Sequence, residues 1–233
     1  MAKNTKVSGD FTNVHVRNFG QGSELVLELD FKCWYHRSLW QPHRRWCIDI
    51  LLNSRILNLK SNHLKGQLPH LSANVKELNI ANNSFSGSIS TFLCHEVNRR
   101  NKLEFLDASN NLLSGELSDC WRYWQSLIHL NLGRNNLSGR ILYSMESLVV
   151  LKALRLNNNS ISGDIPSSLQ KCSNLTLIDI GENHFPMTIP LWIGKMPSLQ
   201  ILRLRLSGFK AIYLYKYANF RLLEYWILLI IAY

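Results

Sequence analysis

The stretch LKALRLNNNSISGDIP, residues 151–166, decides the fold. Its three leucines are followed by Asn159, Gly163 and the pair Ile165-Pro166. The frame L-x-x-L-x-L-x-x-N-x-L-x-G-x-I-P recurs between residues 54 and 206, and its asparagines are separated by 21, 28, 24, 24 and 24 residues. They are Asn62, Asn83, Asn111, Asn135, Asn159 and Asn183. A period in the twenties predicts a solenoid of stacked repeats.

Each position of this frame has a physical reason. L-x-L forms a short strand whose leucines point inward, because side chains alternate along a strand. The asparagine turns inward after the strand, where its carboxamide pairs backbone groups of the turn, so stacked asparagines predict a ladder. The glycine suits unusual backbone angles, and Ile-Pro stiffens the return segment. The expected fold is an α/β solenoid: a leucine-rich-repeat right-handed superhelix with a parallel concave β-sheet and an irregular or 3-10 convex side.

The extent of the frame divides the 233-residue chain into three parts. Residues 1–53 form an irregular N-terminal segment that could serve as a degraded cap, 54–208 hold six to seven repeats, and 209–233 form an apolar tail without the repeat. The net charge is +10, much of it in the N-terminal segment. Because no nucleic-acid-binding module accompanies this charge, it does not predict a nucleic-acid partner.

The cysteines fall into two groups. Cys33 and His36, with His43 and Cys47, have local zinc-ligand spacing, but only six residues separate the two pairs. A zinc finger needs a longer separation, so a Cys33–Cys47 disulfide or free thiols remain open and no metal is expected. Cys94 and Cys120 lie on return segments of adjacent repeats, close enough for a disulfide in an oxidising compartment. Cys172 is expected to be a small buried residue.

The two ends of the chain lack the frame. The start, MAKNTKVSGDFTNVHVRNFG, has no apolar core and does not resemble a secretory signal peptide. Residues 226–232 are apolar, but Arg221 and Glu224 interrupt the extension to the twenty residues that a membrane-spanning helix needs. The sequence leaves open whether this tail packs on the last repeat or anchors the chain in a membrane.

Three stretches carry a resemblance to a known family. They are LKSNHLKGQLPHLSANVKELNIANNSFSGSISTFLC (59–94), KLEFLDASNNLLSGELSDCWRYWQSLIHLNLGRNNLSG (102–139) and LRLNNNSISGDIPSSLQKCSNLTLIDIGENHF (154–185). They resemble the ectodomains of plant leucine-rich-repeat receptor-like proteins, nearest to the group of the ethylene-inducing xylanase receptors. That family adds a signal peptide, further repeats and a transmembrane helix, none of them evident here, so the resemblance implies a partial ectodomain or truncated product.

The resemblance also implies a function. It implies a recognition module at the plasma membrane, in defence or developmental signalling, that binds a protein or peptide ligand or a co-receptor and needs no cofactor. A soluble apoplastic inhibitor of a microbial wall-degrading enzyme and a truncated product without function are the alternatives. No kinase motifs are present. Asp107 and Asp179 lie three repeats apart and no nucleophile has an activating base, so an enzyme is not expected.

Recognition residues are expected on the outward positions of the concave strands, because these positions are free of core duty. The candidates are Phe105, Asp107, His129, Asn131, Arg155, Asn157, Asp179 and Arg203. Four glycosylation sequons begin at Asn82, Asn136, Asn158 and Asn174. Asn174 is the preferred acceptor, because it lies in a return segment outside the asparagine ladder.

Overall fold

The computed structural model describes residues 55–68, 71, 73–94, 101–186 and 190–204 in full, together with the backbone of four further strands. These strands are β1 (Val14–Asn18), β2 (Leu25–Leu29), β14 (Ala211–Lys216) and β15 (Trp226–Ile231). The candidate ligands Cys33, His36, His43 and Cys47 lie outside the described residues.

Each repeat contributes one short strand to a long parallel sheet, here called the main sheet. Its parallel strands are β3 (Ile56–Asn58), β5 (Glu77–Asn79), β7 (Phe105–Asp107), β9 (His129–Asn131), β11 (Ala153–Arg155), β12 (Leu177–Asp179) and β13 (Ile201–Leu204). They pair in the register of the repeat frame, so that Leu106 lies between Leu78 and Leu130. The predicted parallel sheet is confirmed. β14 and β15 continue it beyond β13 as antiparallel strands.

A second parallel sheet follows the ladder asparagines, and the sequence frame did not predict it. It contains β4 (Lys65–Gly66), β6 (Ser84–Ser88), β8 (Leu112–Glu116) and β10 (Asn136–Ser138). The frame glycines in and after these strands have φ between 78° and 98°. Residues with side chains rarely adopt this conformation, which explains why the frame requires glycine there.

The opposite side of the solenoid consists of short helical turns. An α-helix, α1 (Ile89–Cys94), is followed by 3-10 turns at Asp119–Tyr123, Tyr143–Ser147, Ser167–Lys171 and Leu191–Lys195. The predicted 3-10 convex side is therefore confirmed. Among the residues that the structure describes, none of the helices has the length and apolar character required to cross a bilayer.

One continuous apolar core fills the space between the two sides. The central strand residues Leu78, Leu106 and Leu154 are fully buried, as the alternation along each strand requires. Between the third and fourth repeats the core also contains Trp121 and Trp124, and the indole Nε1 of Trp124 donates to the Leu93 carbonyl at 3.0 Å. Neighbouring repeats thus supply the core that no single repeat can bury.

A disulfide closes this part of the convex side. Cys94, at the end of α1, is bonded to Cys120, with Cα atoms 5.3 Å apart. Cys172 is a buried free thiol whose Sγ donates to the Met145 carbonyl. Burial raises the pKa of this thiol to about 11, so that it stays protonated and unreactive.

The asparagine ladder connects each repeat to the one before it. In the central repeats the Nδ2 group donates to carbonyls of its own repeat and of the preceding one, as when Asn135 bonds Leu132 and Ala108. Its Oδ1 accepts the amide N–H of the preceding repeat, that of Leu113, at 3.0 Å. The ladder residues Asn111, Asn135, Asn159 and Asn183 are buried, whereas Asn62 and Asn83 are half-buried.

Candidate ligand-binding face

The outward side chains of the main sheet form three columns that run across the repeats. The apolar column contains Phe105, His129, Ala153, Leu177 and Ile201. The charged column, two residues further along each strand, contains Asp107, Asn131, Arg155, Asp179 and Arg203. The strand register aligns each residue of these two columns with its equivalents in the neighbouring repeats. The floor column, two residues further again, contains Lys60, Ala81, Ser109, Gly133 and Asn157.

The apolar column begins with an aromatic contact. The rings of Phe105 and His129 lie 5.9 Å apart between centroids. Burial, followed by the positive charges of Arg155 and Lys152, lowers the pKa of His129, so that its imidazole is neutral at neutral pH. From Phe105 to Ile201 this column therefore presents an uncharged surface, most of it partly exposed, whereas the equivalent residue of the second repeat is the exposed Glu77.

Several members of the charged column stabilise the turn that follows their strand. Asp107 Oδ1 accepts the backbone N–H of Ser109 at 3.0 Å and its hydroxyl at 2.6 Å. Asn131 Oδ1 accepts the N–H of Gly133 at 3.1 Å in the same way. These two predicted recognition residues thus have a structural role as well, because their oxygens pair backbone groups of the turn.

Asp179 is the most buried carboxylate of the charged column. Its side chain is close to that of Arg203, with 3.7 Å between Asp179 Oδ2 and Arg203 Nη1. Burial raises the pKa of Asp179, against the lowering effects of the Gly181 amide and of Arg203 and Arg155. The predicted residues Asp179 and Arg203 therefore form one ion pair, far along the sheet from Asp107.

A further row of residues lies just outside the floor column, immediately before each ladder asparagine. This edge row consists of Ser61, Asn82, Asn110, Arg134, Asn158 and Glu182, and all six have φ between 54° and 58°. Their backbone N–H groups continue the ladder: Asn110 donates to the Gly133 carbonyl at 2.9 Å and Arg134 to the Asn157 carbonyl at 2.7 Å. Asparagine tolerates this left-handed conformation better than most residues, which explains the Asn-Asn pairs of the sequence.

Side chains of the edge row bridge neighbouring repeats. Asn110 Nδ2 donates to Asn82 Oδ1 at 2.6 Å, and Asn82 Nδ2 donates to Ser61 Oγ at 3.1 Å. Asn158 Nδ2 donates to Glu182 Oε2 at 2.8 Å. Arg134, between these two groups, forms no side-chain hydrogen bond or ion pair within the part of the chain that the structure describes. The row of bridges is therefore interrupted at Arg134.

Between the edge row and the charged column lies a trough of about 420 Å³. Its floor is low because the central floor residues, Ala81, Ser109 and Gly133, are small. A Cβ atom at Gly133 would lie 2.5 Å from Asn157 Oδ1, so a larger residue there would displace that carboxamide. The residues that line the trough are Lys60, Ala81, Asn82, Asp107, Ser109, Asn110, Asn131, Gly133, Arg134, Arg155 and Asn157.

The trough combines four predicted residues with others that the sequence did not indicate. Asp107, Asn131, Arg155 and Asn157 were candidates, whereas the edge-row residues were not. The sequence pattern does not indicate the edge row, because strand alternation says nothing about a residue in the turn. Phe105 and His129 lie in the neighbouring column, and Asp179 and Arg203 lie outside the trough.

The four sequons have exposed asparagines in different settings. Asn82 and Asn158 belong to the edge row, where their carboxamides form the bridges described above. Asn174 Nδ2 donates to the Val149 carbonyl at 3.0 Å. Asn136 lies in β10, and its carboxamide forms no hydrogen bond within the described residues.

Comparisons with known proteins agree with this geometry. The Leucine Rich Repeat family matches residues 74–95, 102–124, 126–148 and 150–172. Receptor-like protein EIX2 of Solanum lycopersicum is 40% identical over 76 residues, which are 33% of this chain and 7% of that protein. Receptor-like protein 54 of Arabidopsis thaliana is 38% identical over 95 residues, 40% of this chain and 12% of that protein.

A solved structure shows the same fold. The Arabidopsis receptor kinase HAESA, in complex with the peptide hormone IDA and the co-receptor SERK1, is 29% identical to this chain, with a TM-score of 0.56. The match covers 64% of this chain and 26% of that one. The chain therefore spans about a tenth of the length of the two receptor-like proteins and about a quarter of the solved receptor chain.

Proposed function

Because the described array consists of non-catalytic leucine-rich repeats similar to part of the ectodomain of plant receptor-like proteins, we propose that the chain is a recognition module for a peptide or protein ligand. Its binding surface is the outward face of the main sheet. The observation that carries this proposal is the alignment of an apolar and a charged column over successive repeats, on positions that the core does not use. Such neighbouring apolar and polar groups suit a protein ligand.

The solved relative supports the class of ligand. HAESA was solved with a peptide hormone and a co-receptor, and its fold matches the described repeats. We propose the same classes of partner here, with the chain acting at the plant cell surface in defence or developmental signalling. The apolar column would contact side chains of the ligand, because burying such partly exposed apolar groups favours association.

A binding selection on the whole chain tests this proposal. A random library of linear peptides displayed on phage would be selected on the immobilised wild-type chain and on two matched variants. Leu177→Ser removes a half-buried leucine of the apolar column, whereas Leu191→Ser removes a leucine on the convex side that is 91% exposed. We expect enriched peptides to lose affinity for Leu177→Ser and to keep it for Leu191→Ser.

Two results would contradict the proposal. One is the absence of any enriched peptide on the wild-type chain. The other is a set of peptides that binds Leu177→Ser and Arg155→Gln each as well as the wild type. Circular dichroism and a thermal unfolding curve for each variant would establish that the main sheet is intact in the comparison.

Cell-surface action requires export, and glycosylation reports on export. We propose Asn136 as an acceptor beside Asn174, because its exposed carboxamide forms no hydrogen bond within the described residues, whereas that of Asn174 donates to Val149. Expression in plant cells, followed by fractionation and glycosidase treatment, measures this directly. We expect a mass shift that Asn136→Gln reduces. An unglycosylated cytosolic product would argue against action at the cell surface.

A further inference from the structure

We propose that the trough binds an extended acidic peptide segment, with a carboxylate of that segment between Arg134 and Arg155. This inference deepens the proposed function, since it assumes that the outward face of the main sheet binds a peptide. It adds the chemical class of the segment and the place where its negative charge lies.

The shape of the trough fits an extended chain. Its lining extends from Lys60 in the first described repeat to Asn157 in the fifth. Four steps between neighbouring strands, each roughly 4.8 Å, give a length of about 19 Å, which accommodates about five or six residues of extended peptide. The small floor residues Ala81, Ser109 and Gly133 leave space for a backbone between the two walls.

The charges of the trough favour an anion. Three cationic side chains, Lys60, Arg134 and Arg155, line it together with one carboxylate, that of Asp107. None of the three cations forms a salt bridge within the described part of the chain. Asp107, in contrast, already accepts two hydrogen bonds from Ser109. The trough therefore has an excess of positive charge, and two of its three cations come from adjacent repeats at one end.

Arg134 and Arg155 both stand where the pattern of internal hydrogen bonds is interrupted. Arg134 occupies an edge-row position where Asn82, Asn110 and Asn158 bridge neighbouring repeats. Arg155 occupies a charged-column position where each of the four preceding repeats has an asparagine or aspartate that pairs the following turn. Neither guanidinium forms a hydrogen bond or salt bridge within the described residues, although the charge of Arg155 is near enough to Asp179 to lower the pKa of that carboxyl. Both groups can therefore donate to a ligand carboxylate, which a guanidinium binds through two parallel hydrogen bonds.

The walls of the trough also provide for a peptide backbone. Asn131 uses its Oδ1 within the turn, but its Nδ2 group forms no hydrogen bond among the described residues and borders the trough. The Asn157 carboxamide lies over Gly133 on the same side. Carboxamides both donate and accept, as the N–H and carbonyl groups of an extended backbone require. The apolar column lies beyond the charged column, two residues earlier along each strand and so about 7 Å from that wall of the trough, within reach of a larger ligand.

The experiment compares two double variants with the same loss of positive charge. Arg134→Gln with Arg155→Gln changes the trough, whereas Arg122→Gln with Arg140→Gln changes exposed arginines outside it. The probes are the peptides enriched from the random linear phage library on the wild-type chain, synthesised and titrated against each protein. Thermal unfolding of both variants, and of Arg134→Gln alone, establishes that the chains are folded.

We expect the enriched peptides to share an aspartate, a glutamate or a free carboxyl terminus at one aligned position. Their affinity should fall at least about tenfold on the trough variant, since charge-assisted hydrogen bonds are lost, and less than about twofold on the control. Enriched peptides without an acidic position, or with unchanged affinity for the trough variant, would overturn the inference.

The two levels of the proposal fail in distinguishable ways. If peptides lose affinity for Leu177→Ser but not for the trough variant, the acidic-segment inference fails and the proposed function stands. If no peptide is enriched, both fail. If an oligogalacturonide binds the trough with no peptide enriched, the cationic trough recognises a wall polysaccharide, and the peptide assignment is overturned.

Discussion

Replacing the ladder residue Asn135 by alanine tests how the repeats are held together. Asn135 is buried in the middle of the array. Its Oδ1 accepts the Leu113 amide, and its Nδ2 donates to the carbonyls of Ala108, Leu132 and Gly133 at 3.0–3.2 Å. The alanine variant removes all four hydrogen bonds at once.

The four bonds do not contribute equally. The Ala108 carbonyl also accepts from Asn111, and the Leu132 carbonyl also accepts from Asn159, so each keeps one partner in the variant. The Leu113 amide has no second acceptor among the described contacts and is buried with its residue, which is 1% exposed. An orphaned buried N–H costs about 1–3 kcal/mol. With the weakened carbonyl bonds, we expect a loss of about 3 kcal/mol in the free energy of unfolding.

The matched control is Asn62→Ala, at the first ladder position. Asn62 donates to the Leu59 and Lys60 carbonyls and is half-buried, and its Oδ1 accepts no backbone amide within the described residues. The Leu59 carbonyl keeps a bond from Asn83. We therefore expect Asn62→Ala to cost about 1 kcal/mol or less.

Urea unfolding of the whole chain, followed by far-ultraviolet circular dichroism, measures both losses. Equal losses for the two variants would refute the reasoning that the ladder acts through the buried amide of the preceding repeat. Asn135→Asp gives a second test. It keeps an oxygen that can accept the Leu113 amide, but it replaces the Nδ2 donor by a second oxygen, which repels the three carbonyl oxygens beside it. Burial and this repulsion should raise its pKa, so the variant should gain stability as the pH falls.

Three further predictions concern the disulfide and the charged column. Replacing Cys94 and Cys120 by serine should cost about 3 kcal/mol in urea unfolding, and reduction of the wild type should cost the same, since the crosslink closes a loop of 26 residues. Because burial raises the pKa of Asp179, its contribution to stability is complete below the ordinary carboxyl pKa and is lost as the pH rises through the raised value. Asp179→Asn should therefore flatten the decline in unfolding free energy as the pH rises above the ordinary carboxyl pKa, and an unchanged slope would contradict this assignment. Arg155→Asn should stabilise the chain by about 1 kcal/mol, because an asparagine there would accept the turn amide as Asn131 does. The same variant should bind acidic peptides more weakly. Binding equal to that of the wild type would contradict this second expectation.

The period of the frame was sufficient to predict the main sheet and the 3-10 turns, because spacing alone determines which side chains face the core. The register followed for the same reason: Leu78, Leu106 and Leu130 occupy one frame position and lie side by side. The position of Cys94 and Cys120 on adjacent return segments likewise brings their Cα atoms to 5.3 Å.

The second sheet and the edge row could not be predicted from this spacing. The frame records which residues are apolar, whereas β8 and β10 pair through backbone groups that any side chain permits. The left-handed conformation at Arg134, with φ of 56°, leaves no mark in the residue type. The trough depends on that conformation, since it brings the edge row against the floor column. Its lining therefore emerged only from the backbone geometry.

Departures from the frame, rather than the frame itself, indicate where this chain recognises a partner. An asparagine or aspartate in the charged column stabilises the turn, as Asn131 does, so its presence is explained by the fold alone. An arginine at the equivalent position, Arg155, gives up that hydrogen bond and brings a positive charge that forms no salt bridge within the described residues. Arg134, in the edge row, likewise lacks the side-chain bridge that Asn82, Asn110 and Asn158 form. It lines the same trough as Arg155. Residues that reduce internal pairing at one shared cavity are better explained by an external ligand than by stability, since proteins retain local violations of folding rules mainly at functional sites.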